Sequence, residues 1–328
     1  MRVLVTGGAG YIGSVTVRML LEAGHEVVVL DSLERGFRAA VDERAELVVG
    51  NVGDTGVLDR VMPNVDTVLH LAGYIEVAES MAYPERYFEN NVSRPLVMLQ
   101  AMLRHRVKSV VFSSTAAVYG EPESVPITED APVAPINAYG SSKAMFEQVL
   151  GWFAKAHGFR VVSLRYFNVA GAWPDGSIGE AHDPETHVIP RILDAIASGR
   201  RRFEVYGDDY PTADGTCVRD YIHVMDLGDA HRRALEYLAD GNAGGVFNLG
   251  NGRGHSNLEV VQACARVTGA DIEVEFGPRR EGDPAVLIAS AQKAQEVLGW
   301  KPGRSDIEQM VADAWEWKRK NPAGYVRG

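Results

Sequence analysis

Tyr139 and Lys143 stand four residues apart in the segment Asn137-Ala138-Tyr139-Gly140-Ser141-Ser142-Lys143. On a helix, that spacing puts a phenol and an ammonium on one face. A free phenol titrates near ~10 and is a poor base at neutral pH. To act as one its pKa must fall by roughly three units, a shift that a lysine ammonium and a positively charged ring beside it could supply together. Such a pair recurs by chance, so its position is what informs. One strand earlier, the apolar run ending in Phe112-Ser113-Ser114-Thr115 brings three hydroxyls to a strand end. Thr115 is expected to orient a substrate alcohol and share its proton with Tyr139, whereas Ser113 reads by itself as a backbone cap.

Near the start of the chain, Val3-Leu4-Val5-Thr6 runs directly into Gly7-Gly8-Ala9-Gly10-Tyr11-Ile12-Gly13 and then into an amphipathic stretch. Between a strand and a helix, such glycines allow a tight turn and a close backbone approach to a pyrophosphate, which faces the free N–H groups of the helix start. Gly7, Gly10, Tyr11, Ile12 and Gly13 are the residues expected there. Asp31 closes the next apolar run about twenty residues on, where a carboxylate accepts hydrogen bonds from ribose hydroxyls and repels a 2′-phosphate. The expected cofactor is therefore NAD rather than NADP. Asn51 and Val52 after the third strand, and Leu71, Ala72 and Gly73 after the fourth, fall at the carboxyl edge where dinucleotides bind in such sheets.

The elements that must carry these groups alternate along the first half of the chain. Apolar, β-branched runs at 3–6, 26–31, 47–49, 67–71, 109–113 and 161–165 read as strands, with helical patterns at 11–23, 55–61, 84–105 and 138–157 between them. Strands apolar throughout belong in a parallel sheet buried on both faces. The expected fold is α/β: a Rossmann-type doubly wound parallel sheet with a smaller mixed α/β substrate-binding domain. Beyond Asn168 a Gly/Pro/Asp-rich stretch, 171–186, marks the change, giving residues 1–174 and 175–328, with about 221–250 rejoining the first domain.

The bulk composition narrows the partners. A formal charge of −11 is wrong for a nucleic-acid or membrane-surface binder, whose ligands demand fields of lysine and arginine. No opening segment resembles a signal peptide, and no apolar run approaches the ~20 residues of a membrane helix. The two cysteines, Cys217 and Cys264, form no paired pattern, which fits a reducing compartment and points to the cytoplasm.

Taken together, the motifs resemble those of the extended short-chain dehydrogenase/reductase family and, within it, the UDP-glucose 4-epimerases. The similarity runs from Thr6-Gly7-Gly8-Ala9-Gly10-Tyr11-Ile12-Gly13 through Glu89-Asn90-Asn91-Val92, Phe112-Ser113-Ser114-Thr115, Tyr139-x-x-x-Lys143 and Leu164-Arg165-Tyr166-Phe167-Asn168. It continues in Asp209-Tyr210-Pro211-Thr212, Asp214-Gly215-Thr216, Val218-Arg219-Asp220-Tyr221-Ile222-His223-Val224 and Arg279-Arg280-Glu281-Gly282-Asp283, and these later motifs are the more specific. The resemblance implies a bound NAD that oxidises C4 of a UDP-sugar, rotation of the 4-keto sugar, and return of the hydride to its other face. UDP-glucose and UDP-galactose would interconvert with no net redox change. It implies that Thr115 and Tyr139 handle the 4-hydroxyl proton, while Lys143 holds the nicotinamide ribose and lowers the phenol pKa. Asn90, Ser113 and Phe167 join the NAD set. Asn168, Tyr206, Arg219, Arg280 and Asp283 are assigned to the UDP, with His187 and Val188 beside them and Leu287 limiting the space at the sugar's 2-substituent. Two departures stand out: Gly73-Tyr74-Ile75 replaces a lysine-bearing segment of many relatives, and His187 stands where some have Asn.

An anionic diphosphate in an acidic protein needs placed arginines, whose planar forks match phosphate oxygens. Arg200, Arg201 and Arg202 read instead as a solvated face at a helix end. A 4,6-dehydratase would need an acidic pair after Thr115, where this chain has Ala116-Ala117. A net oxidoreductase, a related 4-epimerase acting on UDP-GlcNAc, a pentose or a uronate, and an NAD-sensing protein without turnover stay open. His182, Asp183, Glu185 and His187 crowd one loop, which reads as a polar substrate-side loop with no metal assigned. The helices at 84–105 and 138–157 carry Phe88, Met98, Met102, Trp152 and Phe153, more apolar bulk than one sheet face requires, so a homodimer is expected.

Overall fold

In the computed structural model, which describes residues 1–280 and 282–326, strand β1 (Arg2–Thr6) buries Val3 and Val5 on one face and Leu4 on the other. Glu281 of the 279–283 motif lies outside the described residues. A strand apolar on both sides is stable only inside a sheet covered twice. Five more strands follow in the same layer: β2 (Glu26–Asp31), β3 (Glu46–Val49), β4 (Thr67–His70), β5 (Ser109–Thr115) and β6 (Arg160–Tyr166). The chain then leaves the sheet for β7 (Asn168–Ala170), β8 (Arg202–Tyr206) and β9 (Val218–His223), and returns with β10 (Gly244–Leu249). The order β3-β2-β1-β4-β5-β6-β10 is parallel throughout, and its direction reverses between β1 and β4. Connections leave that point towards opposite faces and open a crevice at the carboxyl ends.

Eight helices accompany these strands: α1 (Tyr11–Glu22), α2 (Thr55–Val61), α3 (Val77–Ala82), α4 (Pro84–Phe88), α5 (Arg94–Arg104), α6 (Ala138–His157), α7 (Val188–Ala197) and α8 (Val224–Ala239). Val17 and Leu20 of α1 and Leu227 and Leu235 of α8 pack on the Val3, Val5 and Val29 face. Leu58 of α2, Met98 and Met102 of α5, and Phe146 and Leu150 of α6 cover Leu4, Val28 and Phe112 on the other. Beyond the sheet come β11 (Gly254–Ser256), α9 (Asn257–Thr268), β12 (Glu273–Gly277), β13 (Val286–Leu287), α10 (Gln292–Leu298) and α11 (Ile307–Lys320). Strand β9 is central to a small mixed sheet with β7, β11 and β13, and β8 pairs with β12. Their core joins Ile192 and Leu193 of α7, Val260 and Cys264 of α9, and Met310 and Val311 of α11. Cys217 and Cys264 are buried free thiols. Among the described residues, no helix is long and apolar enough to cross a membrane.

The helix expected over 84–105 is present but carries a wider turn in its interior. Between α4 and α5 the residues Glu89–Ser93 form a π turn, because the Asn91 side chain turns inward. Its Oδ1 accepts from the Tyr74 N–H at 2.8 Å, and its Nδ2 donates to the Tyr74 carbonyl and the Ser142 hydroxyl, both at 3.0 Å. Wide turns of this kind mark places where a side chain is needed out of helical register. A second departure concerns the apolar bulk read as a docking face: Met98 and Met102 are fully buried core residues, and of the five only Trp152 is openly exposed.

Helix α6 begins where Asn137 caps it, Oδ1 accepting the Gly140 N–H at 2.8 Å. Gly140 is required by contact, since a Cβ there would lie 2.5 Å from the Ala117 carbonyl oxygen. Farther along, Glu147 meets Arg165 of β6 in a two-pronged pair, Nε to Oε1 at 3.0 Å and Nη2 to Oε2 at 2.5 Å, with side chains 10% and 6% exposed. Arg165 also donates to the Tyr119 hydroxyl at 3.0 Å, and that hydroxyl bonds Asn248 of β10 at 2.6 Å. Removing one member of a buried pair leaves the other uncompensated. Urea unfolding of Glu147→Ala should therefore show a loss of roughly 3–5 kcal/mol; a loss below about 1 kcal/mol, the range of an exposed pair, would contradict the clamp.

Candidate active site

A cleft of about 700 Å³ opens at the carboxyl ends of β1, β2, β4 and β5 and runs towards β8 and β9. Every residue assigned from sequence to cofactor or sugar nucleotide lines it. At one end, α1 starts at Gly10 with no side-chain cap and no acidic residue in its first turn, so the N–H groups of Tyr11, Ile12 and Gly13 face the cleft unscreened. Gly13 admits no side chain: a Cβ would sit 2.1 Å from the Gly7 carbonyl oxygen. Asp31 accepts from the Ala9 N–H through Oδ2 and from the Leu33 N–H through Oδ1, both at 2.9 Å. Burial pushes its pKa up, and these two N–H groups oppose the shift. A dinucleotide fits this donor set: N–H groups for a pyrophosphate, and a fixed carboxylate for ribose hydroxyls.

Midway along the cleft, Thr115, Tyr139 and Lys143 share a wall and are 7%, 9% and 3% exposed. The phenol of Tyr139 is pushed up to about 12, first by burial and then by the Glu76 carboxylate, while a hydrogen bond from Thr115 works against both. Burial pushes Lys143 down to about 8, against the pull of Glu147. Its Nζ donates to the Ser113 carbonyl at 3.0 Å. In the cofactor-free protein the groups that shift the phenol are thus the protein packed over it, Thr115 and Glu76.

The far end is cationic and aromatic. Arg280 lies over the Tyr206 ring at 4.3 Å, and Arg191 approaches the same ring at 5.9 Å. Arg219, 8% exposed, pairs with Asp283 at 3.4 Å. Asn168, His187, Val188 and Leu287 complete this end. Other residues of the same motifs prove structural. Asp220 accepts from the backbone N–H groups of Asn251, Gly252 and Ala289, and His223 accepts from the Met225 N–H while facing Asp313 at 3.0 Å.

Several lining residues escaped the sequence reading. Glu76, which raises the Tyr139 phenol, sits on no motif; it accepts from the Thr186 hydroxyl at 2.6 Å. Tyr166 follows Arg165 in a quoted motif, but its bond to the Ser113 hydroxyl depends on the pairing of β5 with β6. Arg191 reads as one cation on an amphipathic helix until β8 brings Tyr206 to it. In the 180–187 loop, Glu180 rather than Asp183 joins His182, Glu185 and His187.

The model of the NAD dependent epimerase/dehydratase family matches residues 3–250. Among curated proteins, the UDP-glucose 4-epimerase of Lacticaseibacillus casei is 51% identical over 327 residues, with 99% of each chain covered. That of Streptococcus mutans serotype c is 52% identical over 329 residues, again covering 99% of each. Among solved structures, the UDP-glucose 4-epimerase of Bifidobacterium longum in complex with NAD+ and UDP superposes with a TM-score of 0.94 at 39% identity, over 99% of this chain and 100% of that one.

Because burial is the main cause that holds the phenol near 12, a positive charge brought into the cleft should move it far. Phenolate absorbance of the cofactor-free protein minus that of Tyr139→Phe should be flat up to pH 9 and should rise between pH 7 and 9 once NAD+ is added. An unchanged difference spectrum would show that the bound cation does not acidify this phenol.

Proposed function

The chain belongs to the NAD dependent epimerase/dehydratase family, and from that premise we infer that it interconverts UDP-glucose and UDP-galactose by inverting C4 of the sugar, with NAD as a resident cofactor. The reading is carried by one observation: the Thr115, Tyr139 and Lys143 wall lies between a dinucleotide-type end and a cationic, aromatic end of a single cleft. When bound, NAD supplies a reversible hydride acceptor for C4. Gly7, Gly10, Tyr11, Ile12 and Gly13 would hold its pyrophosphate and Asp31 its adenosine ribose, with Asn51, Val52, Leu71, Ala72, Gly73, Asn90, Ser113 and Phe167 lining its path.

The residues of the chain manage the proton. Tyr139 takes it from the sugar 4-hydroxyl as C4 is oxidised and returns it after the 4-keto sugar has turned, so no net base is consumed. Thr115, whose hydroxyl favours the charged form of Tyr139, gives the alcohol a second partner and fixes its direction. Lys143 keeps a positive charge next to the developing phenolate. Arg219 and Arg280 neutralise the diphosphate, and Tyr206 offers a flat face already stacked with guanidinium. Ala116 and Ala117 bring no carboxyl group beside Thr115, so water is not eliminated across C5 and C6. Leu287 borders the space for the 2-substituent.

Residues 1–174 with about 221–250 form, in this reading, the NAD-binding unit, and the remainder the nucleotide-sugar unit. A homodimer is supported by Met145 and Trp152, 44% and 66% exposed and two turns apart on one face of α6. Buried free thiols agree with the reducing cytoplasm.

Purified protein should interconvert UDP-glucose and UDP-galactose with no added cofactor, as read by product separation. Activity confined to UDP-GlcNAc, a pentose or a uronate in the same panel would refute the glucose assignment. Tyr139→Phe should lower kcat by roughly 10²–10⁴-fold with UDP-sugar affinity retained. Sedimentation should give twice the chain mass, and a monomer would remove the dimer.

A further inference from the structure

Between β7 and α7, four side chains direct their donor atoms at one spot. Glu180, His182, Glu185 and His187 are all partly buried, and one ligand atom from each lies within 4.8 Å of the other three. His187 Nδ1 is 2.9 Å from Glu180 Oε1 and 3.1 Å from Glu185 Oε1, while His182 Nδ1 is 3.1 Å from Glu180 Oε1 and 3.6 Å from Glu185 Oε2. Nitrogen and oxygen ligands held ~2.0–2.2 Å from a tetrahedral cation stand roughly 3.4 Å from one another. The nitrogen–oxygen approaches, 2.9–3.6 Å and made through both oxygens of Glu185, bracket that separation, and the four groups lie within 4.8 Å of one another.

Ion pairing alone explains the arrangement poorly. Each Nδ1 faces two carboxylates, yet an imidazole nitrogen carries at most one hydrogen. His187 Nδ1 is hydrogen-bonded to Glu185 Oε1. His182 Nδ1 is shielded from solvent and meets hydrogen-bond geometry with no partner, although two carboxylates lie beside it. A shielded nitrogen set between two carboxylate oxygens, and bonded to neither, is placed to ligate a cation lying between them. Glu185 is held in advance for that purpose, since its Oε1 accepts the Thr186 and His187 N–H groups at 2.9 Å.

We propose that Glu180, His182, Glu185 and His187 bind a borderline divalent transition cation of the zinc type. Two imidazoles disfavour magnesium and calcium, and the lack of a thiolate disfavours copper(I). Two carboxylates balance the ion's charge. The ion is structural: its ligands come from one short segment, and none is Thr115, Tyr139 or Lys143. That segment separates the main cleft from a second cavity of about 380 Å³, and Glu180, His182 and Glu185 line both. The same segment touches the cofactor side through Thr186 to Glu76 at 2.6 Å and Arg35 to the Asp183 carbonyl at 3.2 Å. Clipping it would fix the wall between the cavities. With Nδ1 of His187 engaged, its Nε2 stays available to the cleft.

The test uses the NAD-loaded protein, dialysed against chelator and titrated with zinc by calorimetry, with metal content measured after desalting. One equivalent per chain is expected, and His182→Ala and Glu185→Gln should each weaken binding by at least about tenfold. Absence of saturable binding, or unchanged uptake by both variants, would overturn the site. If the variants fail to fold, cobalt(II) added to the unaltered holoenzyme decides the matter: an intense visible tetrahedral band supports the site, and the weak octahedral spectrum of the free ion refutes it.

Discussion

Desolvation is the constraint on which the rest of this molecule depends. A phenol and an ammonium that both work as charged groups are buried in one wall, and burial moves each towards neutrality, Tyr139 up to about 12 and Lys143 down to about 8. Glu76 adds to the resistance of the phenol. With only its own side chains, then, the phenol stays protonated near neutral pH. The charge that would make it reactive has to arrive with a ligand, which ties proton transfer to a loaded cleft and keeps the pair quiet otherwise.

A mechanism that relies on burial needs the buried groups held in register, and α6 is held from several sides. Asn137 fixes its first turn, and Asn91 reaches its Ser142 through a π turn. Close contact at Gly140 sets its distance from the end of β5. One turn beyond Lys143, Glu147 locks onto Arg165 of β6. Buried ion pairs contribute little net stability, because desolvation offsets their attraction. Here the pair fixes geometry: a helix slipped by one residue would leave both charges unpaired and would move Tyr139 away from Thr115.

The far end of the cleft answers a different demand. An acidic chain of net charge −11 repels anionic ligands at long range, so binding a diphosphate depends on a few placed cations. Arg191, Arg219 and Arg280 are gathered there by three separate segments, with Tyr206 as the ring between two of them. Asp220 and His223, though part of the same sequence motif as Arg219, support the backbone that presents it.

Most of the fold could be read from periodicity. The runs at 26–31 and 55–61, the helix over 138–157 and the first glycine turn appear in the structure as read, because two-sided burial and helix caps leave their marks within a few residues. Every residue assigned to the cleft does line it. What the sequence alone could not decide involves partners distant in the chain. The π turn inside the helix over 84–105 goes with Asn91 finding Tyr74 and Ser142. The identity of the fourth member of the 180–187 cluster depends on a loop path that brings Glu180 in and leaves Asp183 out. Above all, the protonation of Tyr139 and Lys143 is set by the volume of protein packed over them, and no spacing along the chain records that quantity.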